Sequence, residues 1–193
     1  MDSRIFTPIE FYSHLPRAVR AIPMMARSQR KGLISKAFTE KIMLAVTQVN
    51  GCRYCSWFHT QVAMKEGISK TEIHTLLGGK FEGADEDEML ALLYAQHYAD
   101  TRGKLSEESR EKLCETYGRE KARAIDASIK AITVGNIYGI AFDGLMRRPK
   151  GKKMKGSKLQ YELGIVFGSL IMFPVALFHG LFYGSIFKCL SSL

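Results

Sequence analysis

Apolar residues recur along most of this chain at intervals of three and four, the spacing that gives a helix one core-facing side. Phe38, Ile42, Met43, Val46 and Val49 predict a helix over 36–49. A second runs from about Cys52 to Glu66 and stops at Gly67. Asn50-Gly51 is the natural break between the two, because Gly or Asn takes the left-handed cap conformation at low cost. Ser69, with Glu72 three residues on, forms a capping-box pattern that opens a third helix, closed at Gly78-Gly79. Leu90, Leu93, Tyr94 and His97 carry a helix over 89–100, with Asp85, Asp87 and Glu88 near its N-terminus, where the helix dipole favours acids. Ser106 caps a helix over 107–117 that ends at Gly118. Ala124, Ala127, Ile132 and Ile137 then mark the inner face of a longer one over 119–146. Gly135 and Gly139 on it cost about 1 kcal/mol each relative to Ala, which marks close helix packing. Residues 1–35, punctuated by Pro8, Pro16 and Pro23, read as an N-terminal arm of one or two short amphipathic helices across the front of the domain. No window of the body alternates with period two. The expected fold is all-α, a helical bundle over 36–146.

The tail breaks this amphipathic pattern. Leu163 to Phe187 is 25 residues without Asp, Glu, Lys or Arg. As one helix it would extend about 37 Å against a hydrocarbon core of about 30 Å, which makes residues 159–193 a candidate membrane anchor. Pro174 near the middle leaves a re-entrant hairpin open as well, and a helix or hairpin buried in an oligomer interface is the alternative. Gly164 with Gly168, and Gly180 with Gly184, fit G-x-x-x-G. Cys189 beside Lys188 stands as a site for lipid modification or as an inert thiol.

Charge changes the picture only when it is located. The net charge is +9, but residues 147–158 hold seven Lys or Arg and no acid, which leaves +2 for everything else. A basic linker directly before an apolar run marks the cytoplasmic side of a span and attracts anionic lipid headgroups. The expected location is the cytoplasmic face of a membrane, with a cytoplasmic soluble oligomer as the alternative and no nucleic-acid role.

The candidate chemistry lies in residues 40–59, EKIMLAVTQVNGCRYCSWFH. On a helix starting near Cys52, the side chains of Cys52, Cys55 and His59 fall on one face. Cysteines three apart on a first turn have Cα atoms about 5 Å from each other, close enough to cycle between dithiol and disulfide. A helix start favours thiolate over thiol, and His59, one turn beyond Cys55, is placed to take its proton. Glu40 lies on the preceding helix, twelve residues before Cys52, and a helical hairpin would bring it over the ring to orient it. Four cysteines without a signal-like N-terminus fit a reducing compartment, where C-x-x-C is redox-active or metal-binding. With no strands predicted, the thioredoxin setting of such a motif is excluded.

Glu40, Asn50-Gly51-Cys52, Tyr54-Cys55 and His59 resemble the E…N-x-C-x-Y-C-x-x-x-H signature of the alkylhydroperoxidase D-like branch of the carboxymuconolactone decarboxylase superfamily. The resemblance extends less sharply over about 15–146. It implies an all-α fold, a homo-oligomer, and reduction of a hydroperoxide or disulfide substrate by a cysteine pair that a dithiol donor protein re-reduces, with no bound cofactor. It also implies Cys55 as the attacking cysteine, Cys52 as the resolving one, and His59 with Glu40 as the proton relay. One position departs: the best-studied branch has a histidine between the cysteines where this chain has Tyr54.

Three further readings stay open on the residues alone. One is a carboxymuconolactone decarboxylase-like enzyme, whose chemistry needs no cysteine pair. Another is a Cys/His metal site on Cys52, Cys55 and His59, which lacks the fourth ligand of a structural zinc centre. The last is a non-catalytic membrane-anchored helical module. His14, His74 and His97 have no partner at a telling spacing and read as surface or core-edge residues. Cys114 reads as a half-buried thiol, and as a back-up resolving cysteine only if the fold brings it to Cys55.

Overall fold

The structure is a computed structural model that describes residues 3–81 and 84–182. Eight helices follow one another and no strand occurs among the described residues, as the apolar spacing predicts. They are α1 (Pro8–Lys31), α2 (Lys36–Asn50), α3 (Arg53–Lys65), α4 (Lys70–Leu77), α5 (Glu86–Asp100), α6 (Glu107–Arg147), α7 (Leu159–Val166) and α8 (Ser169–Phe182), with a 3-10 turn at Arg148–Lys150.

Local chemistry sets most of the boundaries. Ser35, Ser69 and Ser106 each accept a backbone N–H of the first turn they cap. Gly51 closes α2 in the left-handed conformation (φ 73°), at the predicted break. Gly118 (φ 71°, ψ 157°) interrupts α6 where the pattern ends one helix and starts the next. Two details differ from expectation. The capping box of α4 is only half made: Ser69 accepts from the Glu72 N–H, but the Glu72 carboxylate pairs with Lys41 Nζ at 2.8 Å instead of turning back. And α1 is a single helix that runs through Pro16 and Pro23. A complete capping box at its start, Thr7 with Glu10, and Pro8 in its first turn set its direction.

Two apolar clusters hold the bundle together. The larger lies between α2, α5 and α6 around Ile42, Leu44, Leu92, Leu113, Ile125 and Ile129, with Cys114 half-buried at its edge. The smaller joins Phe11 and Leu15 of α1 to Ile137 and Ile140 of α6, Ile165 of α7 and Ala176 of α8, and it includes Cys52. Cys55 touches both clusters, so the C-x-x-C motif sits at their junction.

The C-terminal segment is packed on the body as far as it is described. α7 lies on α6 and α8 along α1. Glu162 of α7, 1% exposed, accepts Arg148 Nη2 at 3.0 Å and Ser157 Oγ at 2.6 Å. The side chain of Arg147 instead pairs with Asp143 at 2.9 Å. Two of the seven cations of the basic linker therefore bind this chain's own carboxylates, and Lys150, Lys152, Lys153, Lys155 and Lys158 remain exposed.

As far as it is described, the apolar run that begins at Leu163 is not one continuous helix. Among the described residues no helix is long and apolar enough to cross a membrane, and α7 and α8 reach the required length and apolarity only as a pair bent by 55°. The break falls at Phe167-Gly168, where a Cβ on Gly168 would lie 2.0 Å from the Gly164 carbonyl oxygen. Gly164 itself is pressed against Pro8, with room for no side chain. The glycine spacing here serves a bend and a contact with α1. Gly184, Phe187, Lys188 and Cys189 lie outside the described residues.

The histidines divide. His74 and His97 are exposed, whereas His14 is buried. Burial, aided by the charge of Arg17, pushes the His14 pKa down to about 4. His179 of α8 contacts the Tyr12 hydroxyl of α1 through Nδ1 at 3.3 Å.

Candidate active site

The site is assembled where α2 turns into α3 against the second half of α6. The Asn50 carbonyl accepts Arg4 N–H at 2.9 Å and the Gly51 carbonyl accepts Ser3 Oγ at 2.8 Å, so the N-terminal segment braces the turn. Cys52 does not open the helix as predicted. It is the N-cap, in extended conformation (φ −80°, ψ 102°), and its Sγ accepts the Cys55 N–H at 3.3 Å. Sulfur here does what a serine oxygen does at other caps.

Cys52 and Cys55 are joined as a disulfide, with Cα atoms 5.3 Å apart. Cys52 is fully buried, whereas Cys55 is partly exposed. Cys55 Sγ lies 3.6 Å from the Gly135 carbonyl oxygen, an acceptor for its S–H when the pair is reduced. Gly139 completes the seat: a Cβ there would stand 2.7 Å from Cys52 Sγ and 3.1 Å from Cys55 Sγ. Of the two glycines expected to mark close packing, Gly139 does so and admits both sulfur atoms to the helix surface, whereas a Cβ on Gly135 would meet nothing within 4 Å.

Cys55 and His59 are one turn apart on α3. Glu40 of α2 reaches across to the ring, and His59 Nδ1 donates to Glu40 Oε2 at 2.7 Å with both side chains nearly buried (13% and 11% exposed). Because an ionised carboxylate only accepts, this bond places the neutral ring's proton on Nδ1 and leaves Nε2 as the basic nitrogen. Phe58 abuts the same ring edge-on, with centroids 5.2 Å apart. The four side chains singled out from sequence, Glu40, Cys52, Cys55 and His59, thus all belong to the α2–α3 hairpin.

Tyr54, at the departing position, packs against Phe142 (centroids 6.0 Å) under the Arg53 guanidinium. Tyr54, Trp57, Phe58, Tyr138 and Phe142 leave an exposed aromatic surface around the motif. Beside it, Arg53 and Ser56 border an open cleft of about 470 Å³ with Lys153 and Lys155 on the far side.

Sequence reasoning missed a further tie. Asp143, 2% exposed, accepts Arg53 Nη2 at 2.7 Å and Arg147 Nη2 at 2.9 Å, which clamps the start of α3 to α6. Arg53 lies next to Cys52, but its partner is 90 residues away and no local pattern marks it. The described residues hold no group of three or more His, Cys, Asp or Glu side chains placed to share a metal ion.

Comparison with known proteins finds similarity over part of the chain. Residues 13–97 match the model of the Carboxymuconolactone decarboxylase family. A protein of Bacillus subtilis (strain 168) called "Uncharacterized protein YdfG" is 28% identical over 68 residues, 35% of this chain and 46% of that protein. The similarity thus spans less than half the length of that relative. No solved structure matches the chain.

Proposed function

We propose that this chain, whose residues 13–97 match the model of the carboxymuconolactone decarboxylase family, is a thiol-dependent peroxidase or disulfide reductase. The observation that carries the reading is the His59–Glu40 hydrogen bond on the same hairpin as the Cys52–Cys55 disulfide, a base with its orienting acid one helical turn from a two-electron redox pair.

In the reduced enzyme His59 Nε2 takes the Cys55 proton. The thiolate attacks the terminal oxygen of a hydroperoxide, the O–O bond breaks, and the alkoxide leaves as alcohol after receiving that proton from His59. Cys55 is then a sulfenic acid. Cys52 attacks its sulfur, the S–O bond breaks with release of water, and the disulfide forms. An external dithiol restores the pair by exchange through a mixed disulfide and is itself oxidised. Partial exposure supports Cys55 as the sulfur that meets peroxide and donor, and full burial supports Cys52 as the resolving one.

Hydroperoxide turnover with a panel of dithiol donors tests this. Cys55→Ser is expected to abolish consumption, while Cys52→Ser performs one stoichiometric turnover and accumulates a sulfenate that dimedone traps. Equal consumption by wild type and Cys55→Ser would overturn the assignment. A decarboxylase-like activity, which needs no sulfur pair, would survive both substitutions.

We propose also that α7 and α8 rest on the cytoplasmic face of an anionic bilayer. Leu170, Ile171 and Phe178 are 74%, 73% and 66% exposed, a surface a soluble monomer seldom presents, and five exposed lysines precede it. Removing the segment would also remove buried Ile165 and Glu162, so paired point variants are the cleaner probe. Leu170→Glu with Ile171→Glu is expected to release the protein from anionic vesicles in co-sedimentation without loss of thiol chemistry; unchanged pelleting removes the proposal.

A further inference from the structure

A second cleft lies away from the cysteines, between α1, the turn after α5 and the middle of α6. Its volume is about 140 Å³, room for a few water-sized groups. Arg17 and Arg20, three apart on α1, line one side. Arg123, Asp126 and Lys130, on one face of α6, line the other, and Arg110 closes the end. Asp126 is the one acid on this wall, and Lys130 neutralises it at 2.5 Å. Arg110 pairs with Glu107 at 3.0 Å outside the cleft. Arg17 and Arg123 have no carboxylate partner among the described residues.

The inner wall adds a second observation. Tyr98 is 3% exposed, and its hydroxyl oxygen sits within reach of the Arg17 guanidinium, which only donates, so the phenol O–H itself has no acceptor among the described residues. A buried O–H without an acceptor costs about 1–3 kcal/mol, so such donors are normally paired. Burial, with Asp126 adding to it and nearby Arg17 opposing, raises the phenol pKa to about 12, so the group is an O–H donor at neutral pH. Gly103 (φ 79°) keeps that wall open, because a Cβ there would lie 3.1 Å from the Tyr98 hydroxyl.

We propose that this cleft binds the phosphate group of a small phosphomonoester, held by Arg17 and Arg123 with Tyr98 donating from below. Guanidinium forks match phosphate oxygens two at a time, and the dianion offsets the surplus positive charge. This inference is independent of the thiol chemistry.

Two arms separate the sources of such a group: calorimetric titration of the full chain with glycerol 3-phosphate, and co-sedimentation with vesicles containing phosphatidic acid. The expected result is saturable, one-to-one binding of glycerol 3-phosphate that weakens with salt, about tenfold weaker in Tyr98→Phe and at least tenfold weaker in Arg123→Ala. Tyr98→Phe keeps the ring and Arg123 is exposed, so both variants retain the fold, and their melting temperatures without ligand check this. Vesicle binding that is lost in Arg123→Ala, without binding of the soluble ester, sustains the site and assigns a lipid headgroup to it. Equal affinity in wild type and Arg123→Ala, or no Arg123-dependent binding in either arm, overturns it. The Cys52→Ser/Cys55→Ser protein, dead as a peroxidase, is expected to bind the ester with unchanged affinity, so the two readings fail separately.

Discussion

Gly139 shows how little space the redox pair has at the residue scale. The distance from its absent Cβ to Cys52 Sγ, 2.7 Å, is shorter than real contacts allow, and the sulfur cannot retreat because Cys52 is fully buried in the α1–α6 cluster. Gly139→Ala is therefore expected to push the start of α3 off α6 and cost about 1–3 kcal/mol, the range for overpacking a dense interior. It should also slow peroxide-driven disulfide formation, measured by thiol titration after a hydroperoxide pulse. A variant with wild-type melting and wild-type disulfide kinetics would show that the seat is looser than the geometry says. Glu40, Cys52, Cys55 and His59 were legible because their spacing is local and helical. Asp143 was not, since its role depends on Arg53 meeting it across a tertiary contact.

At the scale of elements, caps and glycines did most of what the pattern promised, and α1 is the helix along which α8 packs. Its start depends on reciprocal bonds: Glu10 N–H to Thr7 Oγ1 at 3.2 Å and Thr7 N–H to Glu10 Oε2 at 2.8 Å. Thr7→Ala removes the first and is expected to cost about 1 kcal/mol of stability in urea unfolding at neutral pH. Partial burial alone would raise the Glu10 pKa, but the Thr7 bonds and Arg102 outweigh it and hold it below the ordinary 4.5. A carboxylate with a depressed folded pKa contributes stability above its unfolded value and loses it as pH falls through the folded one. The loss from Thr7→Ala should accordingly shrink in acid; a constant difference from pH 7 down to pH 3 would contradict the capping account. The continuity of α1 through two prolines was not legible, because the packing of α6 and α8 around it overrides a local penalty for helix interiors.

For the whole molecule, acid stability involves a residue that sequence alone read as surface or core-edge. His14 is buried beside Arg17, and its pKa is lowered from 6.5 to about 4. The unfolded chain therefore binds a proton that the folded one refuses, and stability declines as pH falls across that window. His14→Gln should flatten the decline, read from unfolding midpoints at several pH values; parallel profiles for variant and wild type would assign the acid sensitivity elsewhere. The fold class followed from the chain alone, because a 3.6-residue apolar period is compatible with helices and with nothing else, and a motif within one helical hairpin carries its own geometry. What needed the tertiary structure was everything joined over long separations: the glycine seat for the sulfurs, the Asp143 clamp, the cationic cleft between α1 and α6, and the bend at Gly168. Each depends on which surfaces meet at contact distance, and a one-dimensional pattern of polar and apolar residues holds no record of that.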